Sequence, residues 1–434
     1  MNVGNIVRKP TYNVRANEIR INTKSQGMMP KLLQINITAN WGSHGRIAEQ
    51  IGQLAIGEGW ESYIAYGRCA NPSKSHLIHI GSDWDERFHG IQTRMFDRHG
   101  LSSENATKQL IKKIMIIKPD IIHLHNIHGY FLNYPILFEF LKDYNRPVVW
   151  TLHDCWSFTG HCGSFFGNDC FKWRDECHDC QFKHVYPSSF MDGSTRNYRL
   201  KKNFFTSLPN LTLVPVSEWL GDFLKQSFLK EQMIKVIHNG VDIDVFKPVT
   251  VERNKNRIEL LGVASNWKLR KGLPDFIELR KMLPERYNIT LIGLTKSEIK
   301  ALPDGINGIE RTNKIEELVE YYNKADIFIN PTYEDNFPTV NLEALACGTP
   351  VVTYDKTSGG PEALNENTGI VVKNGNIKEL YDTIVSFHTY TNISRLACRE
   401  RAVEMFSNAN CFKKYIRLYE NLLDNEVKHS NSNI

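Results

Sequence analysis

At 434 residues the chain is too long for one ordinary domain, and 41% hydrophobic with 23% charged residues is a globular composition, which excludes a wholly disordered, collagenous or coiled-coil chain. The formal net charge of +5 is mild; it tolerates phosphate or an anionic membrane but lacks the concentrated basic face that nucleic acid asks for. No run approaches the ~18 consecutive apolar residues of a membrane-spanning helix.

Residues 1–28 are polar, turn-rich and without period, and they lack the apolar core of a secretory signal. They are expected to be a disordered leader or the product of a start read too early, since Met28-Met29 directly precedes the first good strand. With no export signal, the expected location is the reducing cytoplasm, and the nine cysteines are read in that light.

From Lys31 onward, β-branched runs alternate with helical stretches. The predicted strands are Leu32–Ile37, Ser62–Tyr66, Asp120–His125, Val148–Leu152 and Leu211–Val216, with helices such as Gly45–Gly57 and Ala106–Ile117 between them. After a charged, Asn-rich linker at Val251–Arg257 a second series follows: Ile258–Val263, Asn288–Ile292, Asp326–Asn330, Pro350–Tyr354 and Gly369–Val372. Alternation of this kind means βαβ units and parallel sheets buried on both faces. The expected architecture is α/β: two Rossmann-like, doubly wound domains, 29–245 and 246–392, facing a cleft. A cysteine-rich insert occupies 155–182, a helix at 393–425 packs back across the seam, and 426–434 form a tail.

Ligands of open parallel sheets bind outside the carboxyl ends of the strands. The first strand ends in Asn40-Trp41-Gly42-Ser43-His44-Gly45-Arg46, a turn whose Gly42 and Gly45 open a helix amino terminus suited to phosphate, although tight-turn glycines need no ligand. His123 and His125 alternate onto one face of a strand end, and His153-Asp154 close the next, so three histidines and an orienting carboxylate are candidates for sugar hydroxyls or for the interior. Cys162, Cys170, Cys177 and Cys180 include one Cys-x2-Cys knuckle, which fits a structural zinc site, an iron–sulfur cluster or unbound, redox-active thiols. In the second half Arg270 and Lys271 follow a strand and could neutralise a departing diphosphate. Glu334, Asp335, Asn336 and Phe337 end another strand, and Glu343 lies eight residues beyond Asp335, inside the next helix. Two carboxylates so spaced can grip hydroxyls of one extended ligand, or simply line a solvated helix.

The run Pro331–Tyr354, with Glu343-Ala344-Leu345-Ala346-Cys347-Gly348-Thr349-Pro350-Val351-Val352, resembles the donor motif of glycosyltransferase family 4, retaining nucleotide-sugar transferases of the GT-B fold. Asn239-Gly240-Val241-Asp242, Lys271-Gly272, Ser358-Gly359-Gly360-Pro361-Glu362 and Thr151-Leu152-His153-Asp154 extend the resemblance from about Lys31 to Leu423, and the cysteine insert is similar to that of the bacterial colanic-acid and capsule type. The resemblance implies Asp335 and Glu343 as the family's paired acids, with Glu343 on the ribose and Glu334 beside the first position. It implies Lys271 on the diphosphate, His153 and Asp335 orienting the sugar, and His123, His125 and Asp154 on the acceptor side. Three positions depart from the pattern: Asp335 where Glu is usual, Pro338 in place of the second residue of Phe-Gly, and Asn266 where a first basic residue stands, with Arg270 or Lys268 near enough to relieve it. The implied donor is a UDP- or GDP-sugar, the implied acceptor a glycan or lipid-linked oligosaccharide, and no cofactor is needed for catalysis. Two rival readings are a nucleotide-sugar epimerase of the same fold and a non-catalytic, zinc-stabilised binding module. The basic, apolar stretches Tyr198–Phe205 and Lys108–Lys118 are candidate faces for peripheral contact with the inner leaflet.

Overall fold

The structure is a computed structural model that describes residues 29–164, 170–267, 269–312, 314–355 and 358–432, with side chains to 426. The leader 1–28 and Lys268 lie outside the described residues.

The amino-terminal lobe runs β1 (Lys31–Asn36), α1 (Gly42–Gly57), β2 (Glu61–Tyr66), β3 (His76–His79), α2 (Asp83–Phe96), α3 (Glu104–Ile117), β4 (Ile121–Leu124), α4 (Tyr134–Tyr144), β5 (Val148–Leu152), α5 (Ser194–Phe205), β6 (Leu211–Pro215), α6 (Glu218–Leu224) and β7 (Met233–Ile234). The carboxy-terminal lobe follows with β8 (Ile258–Val263), α7 (Leu273–Met282), β9 (Tyr287–Ile292), α8 (Lys296–Lys300), β10 (Ile306–Ile309), α9 (Ile315–Lys324), β11 (Ile327–Asn330), α10 (Thr339–Ala346), β12 (Val351–Tyr354), β13 (Gly369–Val372) and α11 (Ile377–Val385). Helices α12 (Arg395–Phe406) and α13 (Asn408–Ser432) close the chain.

Each lobe is one parallel sheet, in the order β3-β2-β1-β4-β5-β6-β7 and β10-β9-β8-β11-β12-β13. Central strands such as β5 and β11 are buried along their whole length, as helices on both faces require. The doubly wound architecture read from the alternation is thus observed.

In both sheets the strand order reverses beside the first strand, between β1 and β4 and between β8 and β11. Such reversals splay the following loops apart and leave a crevice at the strands' carboxyl ends. The crevices receive the loops after β1 and β4 in one lobe and after β8 and β11 in the other. The loops after β1, β8 and β11 carry Gly42, Arg270, Lys271 and the run Glu334 to Phe337, while His153 and Asp154 follow β5 and Glu343 lies in α10.

The lobes are joined by apolar packing and by α13. One hydrophobic cluster runs from β1 and β4 through Val241 and Phe246 to Phe337, Leu342 and Phe406. Cys411, Phe412, Tyr415 and Tyr419 of α13 are buried against Leu32, Ile47, Ile51 and Val149 of the amino-terminal lobe.

Candidate functional site

In the carboxy-terminal lobe the loop after β8 and the loop after β11 are laced together. The Lys271 ammonium forms an ion pair with the Asp335 carboxylate. Arg270 donates to the Glu334 carbonyl oxygen at 3.2 Å, while its own carbonyl accepts from the Tyr333 N–H at 2.8 Å and the Thr332 hydroxyl at 3.1 Å. Asp335 also bridges to Ser358, and its carbonyl accepts from the Gly359 N–H at 2.9 Å, so the Ser358–Glu362 turn braces the acidic loop.

Glu343 sits in α10, where its Oε2 accepts a 2.8 Å hydrogen bond from the Tyr322 hydroxyl. Burial pushes the Glu343 carboxyl up, against the Tyr322 hydrogen bond and the positive charge of Arg46, both of which favour the carboxylate. Arg46 belongs to the first turns of α1 in the facing lobe.

In that lobe, α1 begins with no acidic residue in its first turn and no side-chain cap at Trp41, leaving the positive end of the helix uncompensated. Gly42 has φ +68° and open space where a side chain would stand, whereas a Cβ on Gly45 would meet Thr38 Oγ1 at 2.6 Å. Asn36 holds His44 by a 3.1 Å hydrogen bond to Nδ1, and the His44 ring lies 6.0 Å from His153. Burial drops His44 to about 4 and holds His153 well below the ordinary histidine value, so both imidazoles are neutral at pH 7.

Asp154 is fixed by His128 at 2.8 Å and by the Trp156 N–H at 2.9 Å. Burial opposes its charged form, but the His128 charge and these hydrogen bonds outweigh it and hold the carboxyl below its usual value.

Across the cleft, Asn336 donates to the His153 carbonyl oxygen at 2.7 Å, and Ser164 donates to Glu334 at 3.0 Å. Glu362 accepts from the N–H groups of Glu218 and Trp219, each at 2.8 Å, at the start of α6, and from His238 at 2.9 Å. The acidic loop and the Ser358–Glu362 turn therefore touch both lobes. Phe337 is buried at the seam against His238 and Phe406.

The structure brings together Lys271, Arg270, Glu334, Asp335, Asn336 and His153, with Glu343 on the neighbouring helix. It separates His123 from them. His123 is wholly buried, and its two ring nitrogens are hydrogen-bonded to Thr151 at 2.8 Å and Tyr419 of α13 at 2.7 Å. The alternation that put His123 and His125 on one strand face was correct, but the carboxy-terminal helix covers His123. His125 is a layer behind His153, bonded to it at 3.3 Å and to Gln34 at 3.0 Å. Residues that the sequence reading did not assign are Tyr322, Arg46, His44, His128 and Glu362; His44, Arg46 and Glu362 lie inside quoted motifs, while Tyr322 carries no local signal.

The zinc or iron–sulfur site expected of Cys162, Cys170, Cys177 and Cys180 is not supported. Among the described residues no group of three or more His, Cys, Asp and Glu side chains is arranged to hold a metal ion. The four thiols instead line a cavity of about 450 Å³ with Trp173 and Phe182. Cys162 and Cys180 hydrogen-bond to each other, and the Cys177 sulfur accepts from the Gly160 N–H at 3.2 Å.

Comparisons with known proteins bear on the family and the fold. Residues 46–245 match the family model described as Glycosyltransferase Family 4, and residues 258–389 match the one described as Glycosyl transferases group 1. Between them the two models cover most of the chain and both lobes. The chain belongs to glycosyltransferase family 4. Among curated relatives of this transferase, WcaC of Escherichia coli strain K12, named for colanic acid biosynthesis, is 24% identical over 90% of this chain and 100% of its own. The N,N'-diacetylbacillosaminyl-diphospho-undecaprenol alpha-1,3-N-acetylgalactosaminyltransferase of Campylobacter jejuni is 28% identical over 48% of this chain and 60% of its own. Among solved structures, sucrose-phosphate synthase of Thermosynechococcus elongatus aligns with a TM-score of 0.66 at 14% identity, over 91% of this chain and 99% of that one. HepE of Anabaena, solved with UDP, aligns with a TM-score of 0.61 at 13% identity, over 91% and 100%. At these identities the structural neighbours establish the GT-B fold.

Proposed function

We propose that this glycosyltransferase moves a hexose-type sugar from a nucleotide-sugar, a UDP- or GDP-sugar, to a growing, lipid-linked cell-surface polysaccharide, with retention at the anomeric carbon. The observation that carries the reading is the Lys271–Asp335 ion pair at the carboxyl edge of the second sheet, linked by the next residue, Asn336, to His153 of the facing lobe. A donor laid along this edge would meet Glu343 at its ribose and Lys271 at its diphosphate.

The chemistry divides simply. A glycosidic bond forms between an acceptor hydroxyl oxygen and the anomeric carbon as the bond from that carbon to the diphosphate oxygen breaks, and the hydroxyl proton goes to the leaving diphosphate. Developing charge on the diphosphate is the main electrostatic demand, and Lys271 with the amino end of α1 would meet it. Neutral His153 would hydrogen-bond a sugar hydroxyl, with Asp335 orienting the same ring. Asp154, held charged by His128, would accept from the acceptor. Closure of the two lobes would exclude water, whose attack on the donor is the competing reaction.

Support for the donor class comes from HepE structures solved with UDP, UDP and glucose, and UDP-glucose. Support for the acceptor comes from the Campylobacter relative, whose name specifies a sugar on diphospho-undecaprenol, and from relatives named for colanic acid and capsule synthesis. The test is a thermal-shift screen of UDP-, GDP- and ADP-sugars, then turnover of the stabilising donor with a lipid-linked acceptor by wild type, Lys271→Ala and Glu343→Ala. Full activity in both variants would overturn the site, and donor conversion without acceptor would overturn transfer.

A further inference from the structure

Helix α2 is built inside out. The residues it buries are His89 and Thr93, both polar. His89 ties the helix to the body through hydrogen bonds to Ser103 at 2.8 Å and from the Gly100 N–H at 3.0 Å. Its large apolar side chains point to solvent: Trp84 is 76% exposed, Phe88 59% and Ile91 57%, with Met95 and Phe96 also exposed. Positions 84, 88, 91 and 95 recur at helical spacing and form one stripe.

The stripe continues on the chain beside it. The Phe190 N–H donates to the Arg94 carbonyl oxygen at 2.8 Å, and Phe190, Met191, Val185 and Tyr186 are all exposed. Single exposed apolar residues are ordinary, but a contiguous patch of this kind marks a surface that something covers.

We infer that this patch seats the protein on an anionic lipid bilayer. Charge selects the occupant. The Arg87 guanidinium lies 5.5 Å from the Trp84 ring and Arg94 lies 4.7 Å from the Phe190 ring, so two cations rise from the apolar surface as they do at a lipid headgroup layer. Of the acids in the first turn, Glu86 pairs with Arg68 at 2.7 Å, while Asp85, in a capping box with Ser82, and Asp83 stay at the amino end of the helix.

Position supports the same occupant. Tyr186 reaches from the patch to within 5.7 Å of His99 and 6.5 Å of His128, the residue that holds Asp154. The patch therefore borders the acceptor side of the cleft. Of the two faces read from the sequence, Tyr198–Phe205 turns Tyr198, Lys201 and Phe205 inward, while Lys108–Lys118 buries Leu110, Ile111 and Ile114 and leaves Met115 and Ile116 exposed. Among the described residues no helix is long and apolar enough to cross a membrane, so the contact is with one leaflet.

The test is co-sedimentation of the full chain with vesicles of phosphatidylethanolamine and phosphatidylglycerol, and with pure phosphatidylcholine vesicles. The wild type is expected to pellet with the anionic vesicles and to be released by salt. Trp84→Glu, Phe88→Glu and Ile91→Glu should each weaken this binding by on the order of tenfold, and Arg87→Glu with Arg94→Glu should abolish the preference for the anionic vesicles. Unchanged thermal unfolding and donor binding in each variant show that fold and cleft are intact, so a loss of vesicle binding is read separately from any failure of the sugar-transfer assignment. Wild type that stays in the supernatant at low salt, or a triple variant that pellets like wild type, overturns the proposal. So does a patch variant that converts a dimer to a monomer in sedimentation velocity while leaving vesicle binding unchanged.

Discussion

The Tyr322 hydroxyl donates to Glu343 across 2.8 Å, joining α9 to α10 behind the cleft. Both groups are largely buried, and burial raises the pKa of each. The bond therefore orients a carboxylate that the interior would otherwise push toward its neutral form.

Removing the donor should weaken both folding and ligand binding. Tyr322→Phe leaves a buried carboxylate oxygen without its partner, a cost of about 1–3 kcal/mol. The expected result is roughly tenfold weaker nucleotide-sugar binding by calorimetry, with Glu343→Ala weaker still. Unchanged affinity in Tyr322→Phe would separate the pair from the donor site.

A second prediction concerns Lys271. Its ammonium is already paired with Asp335, so it must be shared with, or released to, an incoming diphosphate. Lys271→Ala should lower kcat by about a hundredfold, the usual effect of deleting one preorganised charge contact. Asp335→Asn frees the ammonium and should tighten binding of the nucleoside diphosphate product while still lowering kcat. If steady-state kinetics show Lys271→Ala raising KM alone, the cation acts equally on ground and transition states.

The architecture was legible because its signal is repeated: central strands are β-branched runs with helices between, and the predicted strands match the observed ones to within one or two residues. The edge strands β3, β7 and β10 were not. His76-Leu77-Ile78-His79 of β3 is mostly exposed, has one neighbour and carries polar ends, so no buried pattern marks it. The cleft loops were legible from glycines, carboxylates and histidines at strand ends. What makes them a site was not, because Tyr322 and His128 meet Glu343 and Asp154 only through tertiary packing. Local chemistry occupies two further acidic pairs: Asp85 in Asp83-Trp84-Asp85 is half of a capping box with Ser82, and Asp242 accepts from the N–H groups of Asp244 and Val245 in a turn.

The seam between lobes offers a third prediction. A Cβ on Gly359 would collide with the Asn336 carbonyl oxygen and stand 2.7 Å from Ser217 Cβ. Backbone on one side and the start of α6 on the other leave little room to yield. Gly359→Ala should destabilise the protein by about 1–3 kcal/mol and loosen the acidic loop, seen as faster amide exchange at Asp335 and Asn336. Exchange rates equal to wild type would show that the turn does not brace that loop.

The last prediction is a loss of stability on acidification. His44 is lowered from 6.5 to about 4 and His89 to about 3, in each case chiefly by burial. Burial likewise holds His99, His123, His125 and His153 well below 6.5. In the unfolded chain these rings take up protons near pH 6.5, while in the folded protein they stay neutral to lower pH. The unfolded state thus binds more protons, and folding stability falls as pH drops from about 7 toward 4. His161 opposes the trend: burial lowers its pKa, but the Asp97 carboxylate at 2.9 Å outweighs burial and raises it overall. Its contribution is full below 6.5 and fades only as pH rises through its folded value. Six groups against one leave a net loss on the acid side, which denaturant unfolding at a series of pH values measures. His89→Gln, which cannot take a proton, should flatten the slope by up to roughly 1.4 kcal/mol per pH unit. Stability that is constant or rises between pH 7 and 5 would mean these rings are not neutral in the fold.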